Sequence, residues 1–220
     1  FRDDNTDLLI HGFLGDKIID VSSTDLIQRK IIAQPIIQFI SVPKLRLSNN
    51  VYTSVYKEYI TENDIRNELI IKHSKKLLDK KYVPLVLFKQ INHGKVLFEM
   101  MKEQGIRCAM LYGNDSLEDR TEVKRQITNK EIDLIIASVV VDIGINLPIL
   151  SALVLCGGGK SSVRALQRIG RVIRPFPGKT FAAVVDFYDQ AKFLKQHSLK
   201  RCEIYESEPG FIIHKSREMK

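Results

Sequence analysis

The sequence has few cysteines and no long apolar run. Its three cysteines, Cys108, Cys156 and Cys202, are odd in number and far apart, which indicates reduced thiols in an intracellular setting rather than disulfides or a metal site. No run of about 18 apolar residues occurs, so the sequence predicts no transmembrane helix and no membrane partner. Residues Phe1 to Asp7 are polar and do not resemble a signal peptide. Because the chain also starts without Met, we expect a fragment of a longer protein. Together with the reduced thiols, the missing signal peptide indicates a cytoplasmic location.

Acidic residues are missing from a long stretch of the chain. None occurs between Asp142 and Asp186, although the whole chain carries a net charge of +8. The same stretch contains the basic residues Lys160, Arg164, Arg168, Arg171, Arg174 and Lys179. Such a zone attracts the phosphates of nucleic acid or of a nucleotide, and the alternative interpretation is a solvated basic surface.

From residue 82 onward, short apolar runs alternate with helix-like segments. Continuous apolar strands that alternate with helices are typical of βαβ units, so we predict an α/β fold with a parallel sheet and helices on both faces. Ligands of such sheets bind at the carboxyl ends of the strands. A helix is predicted over 62–80, and a basic tail, helical at first, over 195–220. The predicted strands are 83–88, 106–111, 132–137, 151–155 and 180–185.

A glycine loop, Cys156-Gly-Gly-Gly-Lys-Ser-Ser162, follows the fourth of these strands. A phosphate-binding loop has the spacing G-x-x-x-x-G-K-[ST], and here Val154 occupies the position of the first glycine. The loop is therefore too short to enclose a triphosphate, and its spacing argues against a phosphate-binding loop. Asp186 follows a later apolar run, where it either imitates a magnesium-binding aspartate or is a polar residue at a strand end.

The segment after the glycine loop places arginines on one side of a predicted helix. At 3.6 residues per turn, one face collects Arg164, Gln167, Arg168, Arg171 and Arg174, while apolar residues cover the rest. Pro175 is predicted to end the helix. Four guanidiniums on one face repel each other, so the pattern indicates a polyphosphate ligand. Gly170 either lets a ligand approach this helix closely or allows tight packing against the sheet.

The segment Gln167-Arg-Ile-Gly-Arg-Val-Ile-Arg174 resembles motif VI of superfamily 2 helicases. Further stretches resemble other helicase motifs in the expected order: Leu85 to Asn92 is similar to motif IV, Leu111 to Ser116 with Arg120 to the segment after it, Ala137 to Pro148 to motif V, and Phe1 to Asp4 to the residues after motif III. The branch most similar to this pattern is that of the type III restriction-like and phage-type DNA helicases.

The resemblance implies a RecA-like C-terminal helicase domain, in which the glycine loop is a connector and not the phosphate-binding loop. It implies that 1–40 is the end of a first helicase domain or a linker, 41–81 a linker with a helical segment, 82–194 the RecA-like domain and 195–220 a tail. ATP with magnesium would bind between this domain and an upstream RecA-like domain of the same protein, which would supply most magnesium ligands. The other implied partner is single- or double-stranded nucleic acid, most readily DNA. If the source is viral, the location is the host cytoplasm.

The resemblance also implies roles for particular residues. Arg171 and Arg174 would be catalytic and stabilise the transferred phosphoryl group, and no residue would be a metal ligand. ATP would contact Gln167, Gly144, Asn146 and Gly170, although Asn146 stands where the family has Asp. Nucleic acid would contact Lys89, Gln90, Asn92, Gly113 and Ser138. Alternative interpretations are that Gly113 is a turn glycine and that Asn92 caps a helix.

Two other functions fit parts of the sequence. The first is a non-catalytic nucleic-acid binding or annealing module, which the acid-free basic stretch also predicts. The second is a self-sufficient nucleotidase or kinase that uses Lys160, Ser161 and Asp186. Under the helicase interpretation, the isolated chain is expected to lack ATP turnover because it has no phosphate loop.

Overall fold

The computed structural model describes residues 15, 18–19, 21–139, 147–159 and 162–219, with the backbone alone at 162 and 163. Several residues named above lie outside this part of the chain, and so nothing structural follows for them. They are Phe1 to Asp4, Asp142, Gly144, Asn146, Lys160 and Ser161.

Strands and helices alternate along most of the described chain. In chain order the elements are α1 (Ser23–Gln28), β1 (Gln34–Val42), α2 (Tyr52–Tyr56) with a π-helical turn (Lys57–Thr61), α3 (Asp64–Asp79), β2 (Pro84–Phe88), α4 (Ile91–Glu103), β3 (Cys108–Leu111), α5 (Leu117–Thr128), β4 (Leu134–Ser138), β5 (Ala152–Leu155), α6 (Ser162–Val172), β6 (Phe181–Asp189), α7 (Leu194–Glu206), β7 (Ile212–His214) and a 3-10 turn (Arg217–Met219).

The strands form one sheet in the order β3-β4-β2-β5-β6-β1-β7, and every neighbouring pair is parallel. Strands β2, β4 and β5 are buried along their whole length, as expected for apolar strands covered by helices on both faces. The α/β fold with a parallel sheet, predicted from these apolar runs, is confirmed.

The sheet also contains strands from before and after the predicted segment 82–194 in the sequence. Strand β1 pairs with β6 over nine consecutive residues, from Gln34 opposite Phe181 to Val42 opposite Asp189. Strand β7 pairs with the outer side of β1. The sequence did not predict β1, because Gln34, Pro35 and Gln38 interrupt its apolar residues. Strand β7 was missed because only three residues pair.

A helical layer covers each face of the sheet. On one face, apolar side chains of α5, α6 and α7 pack on the strands, and examples are Ile127, Ile169 and Tyr205. On the other face α2, α3 and α4 do the same through residues such as Ile70 and Leu97. All parallel strands end at one edge, so the turns that enter α4, α5 and α6 lie on the same side of the molecule.

Candidate functional site

The carboxyl edge of the sheet carries the predicted nucleic-acid residues. Lys89 and Gln90 directly follow β2 and are exposed, and Asn92 is exposed in the first turn of α4. Gly113 is half-buried just after β3, and Ser138 is the last residue of β4. Because β3, β4 and β2 are adjacent, the structure brings these five positions to one edge.

Two of these residues differ from simple strand-end contacts. The Ser138 side chain is only 5% exposed, and its hydroxyl has no hydrogen-bond partner within the described residues. Gly113 accepts a hydrogen bond at its carbonyl from Arg120 Nη2, at 2.9 Å. The interpretation of Asn92 as a helix cap is wrong, because α4 begins at Ile91 and Gln90 occupies the cap position.

The start of α4 lies unusually close to the end of β2. A Cβ atom on Gly94 would lie 2.5 Å from the Phe88 ring, which is fully buried. Glycine at this position therefore lets the helix pack directly on the strand end. This contact sets the position of the exposed Lys89 and Gln90 between the two elements.

The glycine loop is held by three buried side chains that donate to its carbonyls. Arg66 Nη1 donates to the Cys156 carbonyl at 2.9 Å, and the Tyr56 hydroxyl donates to that of Gly157 at 2.8 Å. Arg201 Nη1 donates to the Gly159 carbonyl at 2.8 Å. Gly157 and Gly158 are buried, so this part of the loop packs inside the protein and connects β5 to α6, as predicted.

Asp186 belongs to the fold rather than to a magnesium site. It is fully buried inside β6, and its carboxylate accepts from Arg201 Nε and Nη2, both at 2.8 Å, and from the Tyr205 hydroxyl at 2.9 Å. Both earlier interpretations of Asp186, as a magnesium ligand and as a polar strand end, are therefore wrong. The described residues contain no group of three or more side chains that could hold a metal ion.

A second buried ion pair joins β6 to α3. Arg66 and Asp189 are both fully buried, with Nε 2.9 Å from Oδ1, and the guanidinium lies 4.8 Å from the centre of the Phe187 ring. The neighbouring carboxylate raises the pKa of Arg66 against the opposing effect of burial. No local sequence pattern predicts this pair, because its members are separated by 123 residues.

Helix α6 presents the predicted amphipathic pattern. Ala165, Ile169 and Val172 are buried in the core, whereas Arg164 and Gln167 are exposed and Arg168 and Arg171 are half-buried. The helix ends at Val172, and half-buried Arg174 therefore follows it instead of lying within it. The prediction that Pro175 ends the helix is thus wrong by two residues.

Gly170 faces open space. A Cβ atom built on it would meet no atom of the described residues within 4 Å, outside its own helix backbone. The interpretation of Gly170 as a glycine for tight sheet packing is therefore wrong. The alternative, that it leaves room beside Arg171 for a ligand, stays a prediction.

A basic cleft joins the arginine helix to the end of β2. It has a volume of about 260 Å³ and is lined by Tyr52, Lys89, Val139, Gly157, Gly159, Arg164 and Arg168. The ammonium of Lys89, one of the lining residues, lies 5.2 Å from the centre of the Tyr56 ring. The cleft thus brings predicted Lys89 together with two arginines of α6. Gln167, Arg171 and Arg174 do not line it.

Residues 57–175 match the family of the helicase conserved C-terminal domain, and this segment is more than half of the chain. The chain belongs to this family. The resemblance to superfamily 2 helicases, predicted from the ordered motifs, is confirmed by this match and by the relatives described next.

The relatives include helicases of viruses. The chain is 30% identical over 188 residues to the ATP-dependent DNA helicase uvsW of Enterobacteria phage T4, which covers 78% of this chain and 37% of that protein. A protein of Sulfolobus islandicus filamentous virus that carries a helicase name is 29% identical over 229 residues, 96% of this chain and 40% of that protein. The chain therefore spans less than half the length of these relatives.

Solved structures give the same result. The crystal structure of T4 UvsW matches with a TM-score of 0.66 and 27% identity, covering 84% of this chain and 41% of that one. A DEAD box protein from Methanococcus jannaschii matches with a TM-score of 0.55 and 21% identity, covering 85% of this chain and 42% of that one, and shares the fold.

Within the described residues, no helix combines the length and the apolar character that crossing a membrane requires.

Proposed function

We propose that this chain is the C-terminal motor domain of an ATP-dependent DNA helicase or translocase. The observation that supports the proposal best is the basic cleft at the carboxyl edge, where Lys89, Arg164 and Arg168 converge. One cation that follows a strand and two cations of α6 form a surface at this edge of the sheet, and it attracts a phosphate backbone without reading its bases. The choice of DNA follows the name of the phage T4 relative.

Arg171 and Arg174 act in ATP hydrolysis under this proposal. Both are half-buried: Arg171 lies in the last turn of α6, and Arg174 follows this helix, whose other face is fixed in the core. A planar guanidinium matches phosphate oxygens and stays charged, and it therefore stabilises negative charge on the transferred phosphoryl group. The open side of α6 at Gly170 leaves room for ATP to approach, with Gln167 exposed one turn earlier.

The phosphate loop and the magnesium ligands come from an upstream RecA-like domain in this proposal. The printed sequence has no G-x-x-x-x-G-K-[ST] spacing, and the described residues offer no cluster for a metal ion. The residues of this chain therefore fit the anionic end of the nucleotide but not the cation. A cytoplasmic motor with two such domains would hydrolyse ATP in the cleft between them.

The test is ATP hydrolysis by the chain alone and by the chain joined to its upstream domain, with and without single-stranded DNA. We expect turnover in the joined protein only. Arg171→Ala or Arg174→Ala should lower that turnover by roughly 10³ to 10⁵ while strand binding is largely retained. Exposed Arg29→Ala is the matched control. Full turnover in both motif variants would exclude the assigned role, and loss of strand affinity without loss of turnover would favour a binding module.

A further inference from the structure

A second basic groove crosses the opposite, amino edge of the sheet. One cavity of about 380 Å³ lies at the amino-terminal ends of β2, β5 and β6, and is lined by residues such as Val83, Ser151 and Phe181. A second cavity, of about 590 Å³, lies at the amino-terminal ends of β3, β4 and β2. The two share five lining residues: Lys81, Tyr82, Val83, Lys130 and Ile149. They therefore form one groove across five adjacent strands, roughly 19 Å long at about 4.8 Å per strand step.

The charge of this groove is strongly positive. Its cationic side chains are Lys75, Lys80, Lys81, Arg107, Lys130 and Lys179, and its carboxylates are Asp79 and Asp133. Arg107 donates two hydrogen bonds to the Asp133 carboxylate, from Nε to Oδ2 at 2.9 Å and from Nη2 to Oδ1. Because its charge is already paired, Asp133 attracts other cations weakly. The first cavity has four of the lysines and no carboxylate in its lining. A groove with this balance attracts a polyanion.

Not all of these lysines are available to a ligand. Lys179 donates from Nζ to the carbonyls of Pro148 and Leu150, at 2.7 and 2.9 Å, and its burial lowers its pKa to about 8. Lys75 donates to Gln104 at 3.1 Å. The exposed cations in the middle of the groove are Lys80, Lys81 and Lys130.

Two of these lysines have a backbone conformation that lysine rarely adopts. Lys81 follows α3 with φ of 64°, and Lys130 follows α5 with φ of 59°. Glycine and asparagine are favoured in this left-handed region, so a lysine side chain here comes with a conformational cost. Both side chains belong to the part of the lining that the two cavities share. A cation near a helix C-terminus is also favourable for the helix itself, and an experiment must separate this effect from ligand binding.

Exposed aromatic side chains border the same groove. Phe176 is 41% exposed and Phe181 is 44% exposed, and both line the first cavity beside half-buried Tyr82. Basic grooves with exposed rings bind single-stranded nucleic acid, because the cations follow the phosphates and the rings stack on bases. An acidic protein segment would use the lysines but would not require the exposed phenylalanines.

We propose that the amino-edge groove binds the backbone of a single strand of nucleic acid through Lys80, Lys81 and Lys130, with bases against Phe176 and Phe181. This contact is separate from the carboxyl-edge cleft, because the two lie at opposite ends of the same parallel strands. Nucleic acid as the ligand rests on the proposed function. This second contact would hold a nucleic-acid strand that has left the carboxyl-edge cleft.

The experiment uses the 220-residue chain and a fluorescein-labelled oligothymidine with photoreactive bromodeoxyuridine. The test variant is Lys81→Asn with Lys130→Asn, because asparagine keeps the left-handed conformation and removes the charge together with the long side chain. Lys30→Asn is the matched control, since Lys30 also follows a helix with φ of 57° but does not line the groove. Lys89→Gln separately reports on the carboxyl-edge cleft. Phe176→Leu with Phe181→Leu tests stacking.

We expect ultraviolet cross-links at peptides that contain Phe176 and Phe181, retained in Lys89→Gln and lost in the double lysine variant. The double variant should bind roughly tenfold more weakly at 0.1 M salt, with a salt slope shallower by about 1.4, which corresponds to two lost phosphate contacts. The phenylalanine variant should weaken binding at an unchanged slope. Lys30→Asn should match the native chain.

The inference is overturned if the double lysine variant behaves like Lys30→Asn and no cross-link maps to the amino edge. If Lys89→Gln then still weakens binding, the proposed function stands. The groove would in that case fit an acidic protein segment and not nucleic acid. If Lys89→Gln is silent as well, or the native chain binds no oligonucleotide, the nucleic-acid part of the proposed function fails together with this inference.

Discussion

Arg201 of α7 and Asp186 of β6 form a two-point ion pair in the interior, with both N–O distances at 2.8 Å. Three residues further along β6, Asp189 pairs in the same way with Arg66 of α3. An odd spacing on a strand points the two carboxylates to opposite faces of the sheet. Because each arginine also donates to a carbonyl of the glycine loop, β6 fixes that loop, and with it the start of α6, from both faces.

The first prediction concerns the Arg201–Asp186 pair. Arg201→Met should destabilise the chain by about 3–5 kcal/mol, because it leaves the Asp186 carboxylate buried without its cation. The measurement is urea unfolding followed by circular dichroism. Arg107→Met is the matched control, since Arg107 pairs with Asp133 at the exposed surface and its loss should change stability little. Equal effects of the two substitutions would contradict the structural role of the buried pair.

The second prediction concerns the hydroxyl of Tyr56. Tyr56→Phe should cost about 1–3 kcal/mol, because it leaves the buried Gly157 carbonyl without a donor. Hydrogen exchange should show the loss mainly at the glycine loop and the first turn of α6. Tyr82→Phe removes the same group at the opposite edge of the sheet and serves as the control. A uniform loss of protection along the whole chain would argue against a local role in holding the loop.

The strands at the centre of the sheet could be predicted from the sequence because their apolar runs are continuous. Strands β2, β4 and β5 are buried on both faces, and the observed bounds differ from the prediction by one to two residues. Strand β1 was missed because two glutamines and a proline interrupt it, although its pairing with β6 buries most of it. Periodicity alone does not report which strand will find a partner across the chain.

The candidate site was predictable only in part. The arginine face of α6 follows from helical spacing and is reproduced up to Val172, beyond which Arg174 leaves the helix. Arg66 lies within the predicted helix over 62–80 but was not among the predicted site residues, and its side chain is fully buried. Its burial depends on Asp189, which is 123 residues away, and no local pattern carries that information.

The third prediction compares two helical glycines. Gly94→Ala should destabilise the chain by about 1–3 kcal/mol, because its Cβ would lie 2.5 Å from the buried Phe88 ring. Gly170→Ala should be neutral or stabilise by up to about 1 kcal/mol, since alanine favours the helix and meets no described atom within 4 Å.

Thermal unfolding measures both effects, and each glycine is the control for the other. If the proposed function holds, Gly170→Ala should also lower the ATP turnover of the chain joined to the proposed upstream domain, because the nucleotide would approach α6 at this position. A stable Gly94→Ala chain would mean that α4 can move away from β2. A fully active Gly170→Ala protein would remove Gly170 from the proposed ATP contacts.

The last prediction concerns the pH dependence of stability at His93. Burial, together with the nearby Arg66 guanidinium, lowers the pKa of this histidine to about 3, and its Nε2 lies 2.8 Å from Asn67 Oδ1. The unfolded chain, with a histidine pKa near 6.5, therefore binds more protons than the folded chain between these two values. The stabilisation is complete above pH 6.5 and is lost as the pH falls toward 3.

For this one histidine the loss between pH 7 and pH 5 should be about 2 kcal/mol. His93→Gln keeps an amide that can donate to Asn67 but cannot titrate, so its stability should fall less over the same interval. Exposed His214→Gln is the matched control for replacing a histidine by glutamine. Urea unfolding at half-unit pH steps gives the three slopes. If His93→Gln and His214→Gln lose stability in parallel, His93 takes up its proton without unfolding, and the tight packing of α4 on β2 does not exclude its charge.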